Sequence, residues 1–205
     1  MTMIDRRGAI GALAGGATAA ALPATAAAKS GFLWGAATAG HQVEGNNVNA
    51  DIWLLEQVRP TIFVEPSGDA CDSLNRWRED IALVKALGLN CYRFSVEWSR
   101  IEPAPGQFSQ AYLDHYARMV DHCRDQGIAP VVTLNHFTCP RWFAAAGGWL
   151  QQDAPELFAR YCGKVASAMA AGMSHALTFN EPNGPLAEPW SLNPPTAAVR
   201  ARVAA

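Results

Sequence analysis

From residue 32 onward the sequence alternates short β-type runs with amphipathic helical runs, and that alternation leaves few architectures open. Strands are expected at 32–38, 91–96, 130–134 and 176–179, separated by helical segments rather than hairpin turns. Strands that are apolar along their length and joined through helices lie in a parallel sheet covered by helices. The first helix is read over 75–87, with Trp77, Ile81, Val84 and Leu87 on one face and Gly88 as its stop. Ser109 is suited to cap a second helix, which turns Leu113, Tyr116, Ala117 and Val120 inward and closes at Gly127. Asp153, with Glu156 three residues on, predicts a capping box for a third helix bearing Phe158, Tyr161, Val165 and Met169. Gly172 is its expected stop, and a long loop with Gly45, Pro60, Pro66 and Gly68 is expected after the first strand.

Gly35, Gly40 and Gly45 do not have the spacing of a dinucleotide-binding loop, which weighs against a nucleotide-binding doubly wound sheet. Polar residues instead gather just after each strand: Gln42 and Glu44, then Glu97, then His136, then Asn180 and Glu181. In a (β/α)₈ barrel these positions converge on the face where sites are built. The sixteen Lys and Arg are interspersed with eighteen Asp and Glu for a net charge of -2, so no polybasic surface for nucleic acid exists.

The first 28 residues differ in composition from the rest. Arg6 and Arg7 precede an Ala/Gly-rich apolar stretch over 8–22 and small residues at 24–26, the layout of an export leader with its cleavage site. The arginine pair resembles a twin-arginine signal, which implies a periplasmic or extracellular destination. The segment is too short and Gly-rich for a transmembrane helix, so no stable membrane insertion is expected once it is removed. The chain is therefore read as a leader at 1–28, a barrel segment at 29–190 and a tail of unassigned structure at 191–205. Five cysteines match no zinc or redox spacing and read as free thiols, Cys139 alone falling in an expected site loop.

Five runs in order carry a family resemblance: FLWGAATA at 32–39 with QVEG at 42–45, RWRED at 76–80, YRFSVEWSRI at 92–101, TLNHF at 133–137 and TFNEPN at 178–183. Together they resemble the N-terminal half of family 1 glycoside hydrolases, the β-glucosidase family. The resemblance implies an α/β fold, a (β/α)₈ TIM barrel of which the first four strands and three main helices are present. It implies that Glu181 is the general acid/base and that Asn180 holds the sugar 2-hydroxyl, with Gln42 and His136 on other hydroxyls. Arg93, in an apolar strand where an unpaired guanidinium is costly, matches the arginine that holds the nucleophilic carboxylate ionised. Glu44 and Glu97 read better as structural partners, and Trp34, Trp98, Trp142 and Trp149 pack a barrel rim as readily as they stack on sugar.

A retaining glycosidase needs two carboxyl groups about 5 to 5.5 Å apart. In the family the second lies in a Thr-Glu-Asn-Gly-like stretch near the seventh strand; here the only carboxylate after Glu181 is Glu188, without that motif. The expectation is a β-glucosidase-type hydrolase of β-linked glucosides that is truncated before its nucleophile and inactive alone. Self-association through the open edges of the first and fourth strands is also expected. An endo-glucanase of a related barrel family and an inactive sugar-binding half-barrel are the alternatives. The chemistry calls for no metal and no cofactor.

Overall fold

The computed structural model describes residues 31–61 and 63–182. The leader expected at 1–28 and the tail at 191–205 lie outside the described residues. Strand β1 is Gly35–Ala37, followed by two helices, α1 at Gly40–Val43 and α2 at Asp51–Gln57. Helix α3 spans Ser73–Ala86 and leads to β2 at Cys91–Ser95; α4 is a single turn at Trp98–Ile101. Helix α5 is Gln110–Asp125, β3 is Ala129–Asn135, and α6 is Arg141–Ala145 with a 3₁₀ turn at Gly148–Leu150. Helix α7 at Ala154–Met169 and β4 at His175–Phe179 complete the order.

The four strands form one sheet in the order β1-β2-β3-β4. Every pairing is parallel: Ala37 aligns with Arg93, Ser95 with Thr133, and Thr133 with Leu177. Sequential parallel strands with intervening helices are the arrangement expected for the first part of a barrel. In the described sheet β1 and β4 are the outer strands, and they are the exposed ones. Residues of β4 alternate between exposed and half-buried, whereas β2 and β3 are buried along nearly their whole length.

The core forms between the sheet and α3, α5 and α7. Trp77, Ile81 and Val84 meet Tyr92 and Phe94, and Tyr116, Val120, Phe158, Tyr161 and Val165 continue the same apolar body. The predicted face of α7 is buried throughout. On α3 the reading fails at its last position: Leu87 is the residue after the helix and is 73% exposed, because the chain unwinds there into a left-handed Gly88 at φ 74°. Gly88 N–H bonds the Lys85 carbonyl and Leu89 N–H the Val84 carbonyl, which gives the last-turn carbonyls their partners.

Three other expectations are corrected. The Ser109 hydroxyl does receive the Tyr112 N–H of α5, but Asp153 makes no side-chain cap on α7. Pro155 in the first turn of α7 has no N–H, which removes one of the donors that a capping carboxylate could take. Gly172 is not in a left-handed conformation. A Cβ there would lie 2.6 Å from Val120 Cγ1, so the glycine permits close approach to α5. The stretch after β1 is loop only in part: Gly45, Pro60, Pro66 and Gly68 lie outside helices and strands, but α1 and α2 interrupt it, and their short lengths leave little periodicity to read.

Candidate active site

Arg93 is the centre from which the site is built. It sits in the middle of β2, where its Nε–H donates to Thr133 Oγ1 at 2.8 Å and its Nη2 donates to Asn180 Oδ1 at 2.7 Å. Thus a side chain of β2 is tied to β3 and to the residue just past β4. Asn180 is buried, and its backbone N–H donates to the Asn135 carbonyl at 2.9 Å, which continues the parallel ladder one step beyond the strand.

His136 follows β3 directly. Its Nδ1 is buried with no hydrogen-bond partner among the described residues, and its ring stands edge-on to Phe137. Burial first, and then the Arg93 charge, draw its pKa down to about 4. The ring is therefore neutral at neutral pH, with one nitrogen to donate and one to accept, which suits hydroxyl groups. Phe137 and Glu181 both adopt left-handed backbone, at φ 72° and 46°. Left-handed non-glycine residues each cost on the order of 1–2 kcal/mol, and such strain gathers at functional sites. The two lie at the C-terminal ends of adjacent strands.

Of the residues singled out from the sequence, Arg93, Asn180 and His136 come together. Glu181 is next to Asn180 in the chain, is exposed, and makes no side-chain hydrogen bond among the described residues. Gln42 lies on α1 past the end of β1 and is likewise exposed without a side-chain partner among them. Both stand at the strand ends expected of them, but no hydrogen bond joins either to the Arg93 group. Thr133 was not singled out by sequence reasoning, although it lies within the TLNHF run and its spacing from His136 was in plain view.

A buried acidic cluster ties together the segments that follow the strands. Glu97, 1% exposed, accepts from Asn47 Nδ2 at 2.8 Å, Thr138 Oγ1 at 2.6 Å and Ser95 Oγ at 3.2 Å. Tyr116 links it to Glu44: the phenol oxygen accepts the Glu97 N–H and donates to the Glu44 carboxyl. Arg100 donates to Glu44 at 2.8 Å. Burial, reinforced by the nearby Glu97, pushes Glu44 up to about 7 against the pull of Arg100. Asp51 is also pushed to about 7, chiefly by burial, while its Oδ1 accepts the Ile52 and Cys139 N–H groups. These bonds fasten the segments that follow β1, β2 and β3 to one another. Gly40 allows the fit: its N–H donates to Ser95 Oγ at 2.7 Å, and a Cβ there would lie 2.6 Å from Glu97.

Glu44 and Glu97 are therefore structural partners, as read from the sequence. Trp98 is wholly buried, stacked on Tyr161 and donating Nε1–H to Glu102 at 2.8 Å; Trp142 and Trp149 pack around it. Cys139 is buried, and burial holds its thiol well above the usual range, so it is an inert core residue. Among the described residues no three His, Cys, Asp or Glu side chains are grouped to hold a metal ion, and no helix is long and apolar enough to cross a membrane.

Comparison with known proteins gives the arrangement a family. The profile described as "Glycosyl hydrolase family 1" matches residues 25–195. Beta-glucosidase A of Thermotoga maritima is 37% identical over 159 residues, covering 74% of this chain and 36% of that protein. The chain thus spans little more than a third of that relative. A crystal structure of a beta-glycosidase is 58% identical, with a TM-score of 0.74 over 76% of this chain and 37% of the other. The beta-glucosidase of Thermotoga maritima in complex with deoxynojirimycin is 35% identical, with a TM-score of 0.71 over 75% of this chain and 36% of that one. Four parallel strands with their helices match part of the barrel of these β-glycosidases.

Proposed function

The chain belongs to glycosyl hydrolase family 1, and from that premise we propose that it forms the acid/base side of a retaining β-glycosidase site acting on β-glucosides and related short β-linked sugars. In this reading Glu181 gives its proton to the departing glycosidic oxygen while a second carboxylate attacks the anomeric carbon. Glu181 then takes a proton from the water that releases the sugar. Asn180 holds the 2-hydroxyl, where a hydrogen bond tightens as the ring gains oxocarbenium character. Gln42 and His136 hold other hydroxyls, and Arg93 stands beside the attacking carboxylate.

The observation that carries the reading is the Arg93–Asn180 hydrogen bond, which joins β2 to the end of β4 beside a neutral His136. The inhibitor complex of the Thermotoga maritima relative supports a saccharide ligand. Among the described residues no carboxylate pairs with Arg93. Cleavage in this reading requires a second carboxylate beside Arg93. The exposure of β1 and β4 supports a further reading, in which the polypeptide made alone associates through its outer strands. Export through the leader at 1–28 is proposed on the sequence alone.

Two measurements test these proposals. Titration with methyl β-glucoside is expected to shift the Asn180 side-chain amide and His136 ring resonances; saturating sugar that moves neither removes the sugar reading. Any turnover of an aryl β-glucoside is expected to disappear in Glu181→Gln. Turnover that survives in Glu181→Gln would overturn the role of Glu181.

A further inference from the structure

We infer that Thr133 is a positioning residue: its hydroxyl fixes the Arg93 guanidinium, which in turn holds Asn180 with its carboxamide oxygen on the arginine and its NH₂ group left as the donor to a ligand. The inference deepens the proposed function and rests on it only for the identity of that ligand as a sugar.

The geometry follows from what each group can do. A guanidinium is donor only, so the Asn180 atom 2.7 Å from Arg93 Nη2 must be the carbonyl oxygen. The sense of the amide, ambiguous for an isolated asparagine, is thereby settled by chemistry. Asn180 Nδ2 has no partner among the described residues, so the donor end is the one that remains to be used.

What decides the pose of Arg93 is its other contact. Nε and Nη2 share one edge of a rigid plane, and Nε–H is held by Thr133 Oγ1 at 2.8 Å. Thr133 is 0% exposed and paired on both sides, with Ser95 on β2 and Leu177 on β4. A β-branched side chain in the middle of a sheet has little χ1 freedom, so its oxygen is a fixed post. Being wholly buried, Thr133 does not touch ligand; it acts through Arg93 on Asn180. A ligand oxygen that can accept a hydrogen bond is therefore what the site selects at this point.

The test is Thr133→Val, which keeps the branched shape and removes the acceptor, set beside Thr133→Ser, which keeps the hydroxyl. The readouts are solvent exchange of the Arg93 Nε–H and the Asn180 NH₂ resonances in the ¹⁵N-labelled chain, with methyl β-glucoside as the probe. Thr133→Val is expected to speed Arg93 Nε–H exchange and weaken methyl β-glucoside binding, each about tenfold, the size of one lost hydrogen bond. Thr133→Ser is expected to stay within about twofold of the parent in both, a rescue that a packing role would not produce. Should Thr133→Val not fold, Thr133→Ala removes the same acceptor and is read in the same way. Unchanged Arg93 exchange and unchanged Asn180 resonances on loss of the hydroxyl overturn the inference. If the parent shows no response to methyl β-glucoside while Thr133→Val still releases Arg93, the positioning role stands and the sugar reading fails.

Discussion

Arg100 and Glu44 form an ion pair at 2.8 Å in which both side chains are only 6% exposed. The pair spans 56 positions and joins the segment after β1 to the one after β2. Removing one partner of such a pair leaves an uncompensated buried charge and costs about 3–5 kcal/mol, more than the net worth of the intact pair. Arg100→Met is expected to lose that much in urea unfolding, and Arg100→Met with Glu44→Leu to recover most of it. A loss under about 1 kcal/mol for the single variant counts against the pair as the tie between these segments.

Asp51 predicts a dependence of stability on pH. Its pKa is raised from the ordinary 3.8 to about 7 by burial, so the folded chain holds its proton more tightly than the unfolded one. The stabilisation is fully present below about 3.8 and fades as pH rises toward 7. Asp51→Asn keeps an oxygen for the Ile52 and Cys139 N–H groups and cannot ionise. Its melting temperature should fall less than the parent's between pH 4 and 8; parallel curves would rule out Asp51 as a contributor.

His136 carries the opposite sign. Its pKa is lowered to about 4, so the folded state favours the neutral ring; the associated stability is present above 6.5 and lost as pH falls through 4. The ring resonances are expected to titrate with a midpoint near 4. A midpoint near 6.5 would mean that the ring is solvated and not placed beside Arg93.

Two glycines predict opposite responses to the same substitution. Gly163 lies in the interior of α7, and a Cβ there meets nothing within 4 Å, so Gly163→Ala is expected to stabilise by about 0.5–1 kcal/mol. At Gly172 the added carbon meets Val120 at 2.6 Å, and overpacking of this kind costs about 1–3 kcal/mol. Thermal unfolding of the two variants separates the cases, and a stabilising Gly172→Ala would contradict the close packing of Gly172 on α5.

The alternation of strands and helices was legible because it is local. The burial of Phe158, Tyr161, Val165 and Met169 follows from spacing along one helix, and the left-handed Gly88 from its place after a helical run. At that boundary one residue decides whether the apolar face continues, and Leu87 falls just outside it. Helices α1 and α2, of four and seven residues, fell below the length at which periodicity speaks. From sequence, the motif residues His136, Asn180 and Glu181 could be placed at strand ends and Arg93 within its strand. Which of them touch could not, because the partners are separated by 40 and 87 positions and meet only through the register of three strands. The same holds for the acidic cluster: the sequence contains Glu44, Asp51 and Glu97, but only folding removes water from them, and that loss of water is what raises Glu44 and Asp51 to about 7.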